Sequence, residues 1–203
     1  SSHGRTGVVL VHGFVCNRGL WTPWMRVFRE RGIPFVAVNL EPVFGSIDSY
    51  PQIIEAAVAR IEAATSMPVV LVGHSMGGLA IRSWLTQQRA DARVRRIVTI
   101  GSPHQGTWLA RYSTTVNGTQ MRPGSPWLTN LAAREPTSGR AGLFTCFYSD
   151  CDNIVFPERL GTIPGAVNLR LSGVAHMEMV FEASVIREVF GWLETSGDPV
   201  QIS

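Results

Sequence analysis

A serine flanked by glycines stands where a nucleophile could be presented. Ser75 lies in the run Gly-His-Ser-Met-Gly at residues 73–77, between the apolar stretch 69–72 and a helical stretch that begins at Leu79. A serine on a tight strand-to-helix turn needs small neighbours, because larger ones would collide with the turned backbone. A phosphate-binding loop would carry a lysine after its glycine. None follows here, so the pattern predicts a nucleophilic serine, with a plain strand-to-helix connection as the alternative.

A nucleophilic serine needs a histidine base and a carboxylate that orients it, here in the chain order Ser, acid, His. His176 follows the last apolar strand pattern and is the predicted base. Asp150 and Asp152 both follow the strand before it. We predict that Asp152 is the acid, because the apolar residues 154–155 would turn it inward, whereas Asp150 would be more solvated. The alternative is that both aspartates serve as turn residues.

Acyl transfer also requires two backbone N–H groups directed at the oxyanion that develops on the carbonyl. Met76 follows the serine, and Phe14 lies in the loop after the first strand, so their amides are the predicted pair. Gly13 would let this loop approach closely. His12 is expected to brace the loop. The alternative for Gly13 and Phe14 is an ordinary strand-ending turn with a core phenylalanine.

Short apolar runs alternate with helical patterns along the chain. The predicted strands are 8–11, 35–38, 69–72, 96–100, 143–148 and 166–171. The predicted helices are 20–31, 47–64, 79–88 and 180–194, followed by a frayed tail at 197–203. Strands that alternate with helices favour a parallel sheet with helices on both faces. Ligands of such sheets bind at the carboxyl ends of the strands, where all the candidate residues fall.

The composition is that of a globular protein. The 203 residues are 45% hydrophobic and 16% charged, which fits one domain over residues 1–203. A net charge of +3 without a basic tract excludes a nucleic-acid partner. The chain contains no apolar run long enough to span a membrane. Its three cysteines form no zinc-ligand pattern, and Cys146 and Cys151 are either a disulfide or free thiols.

Together these stretches resemble the α/β-hydrolase fold and, within it, the small bacterial lipases and esterases. The resemblance rests on residues 9–14, 73–78, 101–107, 148–155 and 173–177, in the family order. It implies a minimal, six-stranded, mostly parallel sheet that lacks the two opening strands of the full fold. It also implies a catalytic triad of Ser75, Asp152 and His176, with Phe14 and Met76 as the oxyanion hole. No cofactor is expected, and no metal, since the aspartate pair that binds calcium in larger relatives is not recognisable.

About 40 residues after Gly101 show no regular pattern, which is unusual for a compact domain. We expect residues 104–141 to form a cap or lid over an acyl pocket, with a structural wing that buries its tryptophans in a satellite core as the alternative. The predicted pocket walls are Val15, Trp108, Trp127, Met177 and Met179, which could equally be core residues.

The resemblance implies a serine carboxylic-ester hydrolase that acts on apolar acyl esters. Acyltransferase, thioesterase or phospholipase chemistry on the same triad is the alternative, as is a non-catalytic binding module. The expected partner is a small-molecule or lipid ester, met at a lipid–water interface. No signal peptide is visible at the start of the sequence. A secreted, periplasmic or membrane-attached location is favoured over a cytoplasmic one.

Overall fold

A computed structural model describes residues 2–137 and 139–194 of the chain. Its centre is one six-stranded sheet in the order β2-β1-β3-β4-β5-β6. The strands are β1 (Val8–Val11), β2 (Phe35–Val38), β3 (Val69–His74), β4 (Val94–Ile100), β5 (Phe144–Ser149) and β6 (Val167–Leu171). Every neighbouring pair runs parallel. All carboxyl ends therefore meet at one edge of the sheet.

Helices cover both faces of the sheet, which confirms the predicted α/β architecture. They are α1 (Thr22–Arg31), α2 (Pro51–Thr65), α3 (Met76–Gln88), α4 (Val116–Gln120), α5 (Pro126–Arg134) and α6 (Ala183–Leu193). Side chains of a strand point alternately to opposite faces. Val8 and Leu10 accordingly pack with α1 and α6, whereas Val9 and Val11 pack with α2 and α3. The continuous apolar runs of the sequence thus reflect strands buried on both faces.

All four predicted helices differ from the observed ones at their starts. Those expected from Leu20 and Val180 begin at Thr22 and Ala183, each after a short 3-10 turn. The helix expected from Leu79 begins at Met76, because the turn at Ser75 leads directly into it. The helix expected over 47–64 is divided into a short 3-10 turn at Ile47–Ser49 and α2, which begins at Pro51. Proline fixes φ and lacks an N–H, so it is suited to the first position of a helix.

The insertion contains two helices where the sequence predicted no regular element. The side chain of Thr115 accepts a hydrogen bond from the amide of Gly118 at the start of α4. Ser125 does the same for the amide of Leu128 at the start of α5, where proline again occupies the first turn. Such N-caps favour helix initiation. The Ser-Pro pair at 125–126 was therefore a usable signal, but helix α4, at five residues, is too short to show a periodic pattern.

The insertion from α4 onwards is anchored to the rest of the domain. Asn117 donates to the carbonyl of Val43 at 2.7 Å, and Gln120 accepts from the amide of Ile47 at 2.9 Å. Trp127 donates to Asp48 at 3.0 Å and is partly buried against the core. The leucines of α5, Leu128 and Leu131, are buried in the same core. These contacts anchor α4 and α5 to the main core of the domain, and not to a satellite core.

The part of the insertion before α4 presents apolar side chains to solvent. Trp108, Leu109 and Tyr112 are all more than two-fifths exposed. We therefore predict that this segment, and not α5, forms the lid. In the described part of the chain, no helix is both long and apolar enough to cross a membrane.

The three cysteines are free thiols, which decides between the two alternatives left by the sequence. Cys146 is buried on β5, and burial raises the pKa of its thiol to about 11. Cys151 is exposed beyond the end of that strand. The predicted fraying at 197–203 concerns residues outside the described ones.

Candidate active site

Ser75 occupies the turn between β3 and α3 in a backbone conformation that side-chain-bearing residues rarely adopt. Its φ is 55° and its ψ is −131°. The flanking glycines have no room for a side chain. A Cβ on Gly73 would lie 2.9 Å from the amide nitrogen of Gly78, and one on Gly77 would collide with the carbonyls of Val11 and His12. Local strain of this kind is characteristic of functional sites, and here it holds a serine at the carboxyl edge of the sheet.

His176 and Asp152 form a buried pair beside this turn. The Nδ1 atom of His176 lies 3.0 Å from Oδ2 of Asp152. The other carboxylate oxygen of Asp152 accepts the amides of Ile154 and Val155, both at 2.8 Å. Asp150 instead accepts the amide of Gly173 at the exposed surface and pairs with an arginine. Of the two candidate aspartates, only Asp152 contacts the histidine.

The end of β4 contacts both the serine turn and the His176–Asp152 pair. The amide of Ser75 donates to the carbonyl of Ile100 at 2.9 Å. The next residue, Gly101, has a φ of +58°, and a Cβ there would lie 3.1 Å from Nδ1 of His176 and 3.2 Å from Asp152. No hydrogen bond joins Ser75 Oγ to His176 within the described residues. Catalytic hydrogen bonds often form fully only when substrate is bound.

The loop after β1 lies directly against the serine. A Cβ on Gly13 would lie 2.5 Å from the Cβ of Ser75, so only glycine permits this approach. The amides of Phe14 and Met76 donate to no acceptor in the described part of the protein. The Met76 amide is free because the first N–H groups of a helix have no partner within the helix. One unpaired donor therefore follows Ser75 directly, and the other lies in the loop that packs against Ser75.

His12 braces the loop that carries Phe14. Its Nε2 accepts the amide of Leu40 at 2.9 Å, and its Nδ1 lies 2.9 Å from the carbonyl of Gly13. An amide can only donate, so Nε2 must be unprotonated and Nδ1 must carry the hydrogen. Burial lowers the pKa of His12, which keeps the ring neutral. Protonation would place two hydrogens between Nε2 and the Leu40 amide and would release the loop.

Stability is expected to fall when the pH is lowered from 6 to 5. Burial lowers the pKa of His74 to about 3 and that of His104 well below its usual value, and it lowers that of His12. In this window the unfolded chain binds protons that the folded protein excludes. His74 and His104 should each contribute on the order of 1 kcal/mol per pH unit to the free energy of unfolding. Urea denaturation across this range measures the slope.

His104→Gln provides the check on this pH dependence. The amide of glutamine can still meet Thr99, which lies 2.8 Å from Nε2 of His104, but it does not titrate. In this variant the free energy of unfolding should depend less steeply on pH, by the contribution of one histidine. An unchanged slope would show that His104 is not the source of the pH dependence.

An apolar cavity of about 100 Å³ opens beside Ser75. Its lining residues are Phe14, Ser75, Pro103, Thr107, Leu109, Ala110, Ser113, Gly118, Met121, Ile154 and Val155. None of the predicted pocket walls is among them. Val15, Trp108 and Met177 are 45% to 65% exposed. Trp127 lies on α5 and is partly buried against the core, and Met179 is buried in the core beneath α6. Sequence analysis missed Ile154 and Val155 as lining residues, although their position directly after Asp152 already required them to lie near the site.

A second cavity, of about 520 Å³, is lined by residues that follow β1 and β2. It is larger but more polar, with Asn17, Arg18, Asn39 and Glu41 among its lining residues, and it does not reach Ser75. Because this second cavity has polar walls and does not reach Ser75, the smaller cavity is the better fit for an apolar group bound beside Ser75. Among the described residues, no three His, Cys, Asp or Glu side chains are grouped so that they could bind a metal ion.

The chain is similar to several known hydrolases. It is 32% identical to phospholipase YtpA of Bacillus subtilis (strain 168) over 107 residues, which are 49% of this chain and 40% of that protein. The chain thus spans less than half the length of this curated relative. Lipase BlEst2 of Bacillus licheniformis, in its mature form, superposes with a TM-score of 0.77 at 18% identity, over 93% of this chain and 91% of that one.

A further structural neighbour is a monoacylglycerol lipase of Paleococcus ferrophilus. It superposes with a TM-score of 0.64 at 15% identity, over 94% of this chain and 96% of that one. At such identities the likeness of the two structures concerns the fold alone. The sequence profile of the alpha/beta hydrolase family matches residues 8–187, from the first strand into the last helix. Because this match extends over most of the chain, the protein belongs to the alpha/beta hydrolase family.

Proposed function

We propose that the protein is a serine carboxylic-ester hydrolase whose triad is Ser75, Asp152 and His176. The observation that carries the proposal is the buried His176–Asp152 pair at 3.0 Å, set beside a serine with the strained geometry of a nucleophile. The adjoining apolar cavity supports an apolar acyl group as the substrate's reacting part. The lipases and the phospholipase to which the chain is similar act on esters of this class.

The chemistry follows from the positions of the groups. His176 takes the proton of Ser75 as the serine oxygen attacks the ester carbonyl, and Asp152 stabilises the imidazolium that forms. The amides of Phe14 and Met76 hold the negative oxygen of the tetrahedral intermediate. The intermediate collapses, His176 gives its proton to the departing alcohol, and an acyl-enzyme remains. Water, deprotonated by His176, then attacks this acyl group, and His176 returns the proton to Ser75 Oγ as the carboxylic acid is released.

Hydrolysis of p-nitrophenyl esters from acetate to palmitate tests the proposal. The protein should release p-nitrophenol, and a fluorophosphonate probe should label it on the peptide that contains Ser75. Labelling of another residue, or no turnover of any ester, would overturn it. Replacing part of the water with an alcohol separates the acyltransferase alternative, because a transferase would form the new ester as its main product.

Narrowing the apolar cavity is expected to change the preference for acyl chain length. Leu109 lines the cavity and is 43% exposed, so Leu109→Trp can fill it without disturbing the core. We expect kcat/KM for octanoate and longer esters to fall about tenfold while that for acetate changes little, because a single pocket contact discriminates by about this factor.

Met177→Trp is the matched control for this experiment. Met177 is 46% exposed and does not line the cavity, so its replacement should leave the chain-length profile unchanged. A shifted profile for Met177→Trp, with none for Leu109→Trp, would place the acyl chain elsewhere.

A further inference from the structure

We propose that His74 is a positioning residue, which holds the backbone and the ring of His176 in the orientation that the reaction needs. The proposal rests on the proposed function, in which His176 is the base. His74 is the last residue of β3 and precedes the nucleophile, so its own position is set by the sheet. No part of the proposed chemistry uses its imidazole directly.

The contact between the two histidines has a defined hydrogen-bond direction. Nε2 of His74 lies 3.2 Å from the backbone carbonyl oxygen of His176. A carbonyl can only accept, so Nε2 must carry the hydrogen and Nδ1 must be unprotonated. Nδ1 is buried and has no hydrogen-bond partner among the described residues. A buried nitrogen without a hydrogen-bond partner lowers the stability of the folded protein. The presence of a histidine at position 74 is therefore not explained by stability.

The two rings also pack against each other. Their centroids are 4.6 Å apart and their planes are inclined by 44°. In addition, Asp152 holds Nδ1 of the His176 ring by a hydrogen bond. The imidazole of His176 is therefore fixed at its backbone carbonyl, at its ring face and at Nδ1. This leaves Nε2 as the one ring atom available for proton transfer.

His74 can act in this way because it stays neutral. The pKa of its imidazole is lowered to about 3. Burial and the facing His176 lower it most, while the hydrogen bond to the His176 carbonyl and the charge of Asp152 raise it. A neutral ring does not repel the imidazolium that forms on His176 during catalysis. A cationic neighbour at a centroid distance of 4.6 Å would disfavour it.

Two replacements separate the hydrogen bond from the ring. His74→Phe keeps an aromatic ring but loses the donor, and His74→Gln keeps an N–H group near the position of Nε2 but loses the ring. We expect kcat of His74→Phe to fall about tenfold with KM little changed, since misplacing a catalytic group acts on the reacting geometry. His74→Gln should recover most of this loss. Active sites are counted by fluorophosphonate titration, so that misfolded protein does not enter kcat.

A proton NMR measurement keeps the test independent of ester turnover. The His176 Nδ1 proton, held by Asp152, should give a downfield resonance in the parent protein and in His74→Gln, and a shifted or broadened one in His74→Phe. An unchanged resonance in His74→Phe, or a kcat per titrated site within about twofold of the parent, would overturn the positioning role. An intact resonance in a parent protein that hydrolyses no ester would instead count against the proposed function.

Discussion

Ser75→Ala is expected to lower kcat for ester hydrolysis by about 10⁴- to 10⁶-fold, because no other group can form the acyl-enzyme. The residual rate would come from the amides of Phe14 and Met76 and from substrate binding. Alanine keeps the Cβ that already sits at a φ of 55°, so the melting temperature should change little. The measurement compares initial rates on a short p-nitrophenyl ester with thermal unfolding of both proteins.

Ser102→Ala provides a control for the loss of a buried serine hydroxyl. Ser102 follows β4, is fully buried and has an Oγ without a partner among the described residues, but it does not line the apolar cavity. Its replacement should leave kcat within about twofold of the parent, as is usual for a site that does not touch the reaction. If Ser75→Ala retained a tenth of the activity, the nucleophile would have to be sought elsewhere.

Asp152→Asn is expected to lower kcat by about 10⁴-fold while the fold is retained. The asparagine oxygen can still accept the amides of Ile154 and Val155, as Oδ1 of Asp152 does at 2.8 Å. Its NH₂ group would then face Nδ1 of His176 and donate to it. That donation forces the ring hydrogen onto Nε2, where the base must instead be free to take the serine proton. The pH–rate profile and kcat are both measured.

Asp150→Asn is the matched control, two residues away. Asp150 accepts the amide of Gly173 at the surface, and asparagine can accept it equally well. We expect kcat within about twofold of the parent, since exposed polar contacts contribute little. Equal losses for the two variants would show that the electrostatics of the whole turn matter and not the single contact between Asp152 and His176.

Local signals in the sequence determined the architecture and the region of the site. The apolar runs of β1 and β3 alternate with amphipathic helices, and this pattern depends only on neighbouring residues. The glycines around Ser75 are a local signal too, because a tight turn leaves no room for side chains at these positions. The carboxyl ends of parallel strands meet at one edge, so the sequence also placed Phe14, Ser75, Asp152 and His176 near one another.

Contacts between distant segments were decided by the tertiary structure. The sequence already favoured Asp152 over Asp150, but only the tertiary structure shows which carboxylate contacts His176, 24 residues away. The cavity is lined by Leu109 and Met121 and not by Trp108 or Trp127, because the packing of α5 draws Trp127 towards Asp48. The contact of His74 with His176 likewise joins residues 102 positions apart. Periodicity reports which face of an element is buried, but a partner, a distance and a cavity exist only after the elements have packed.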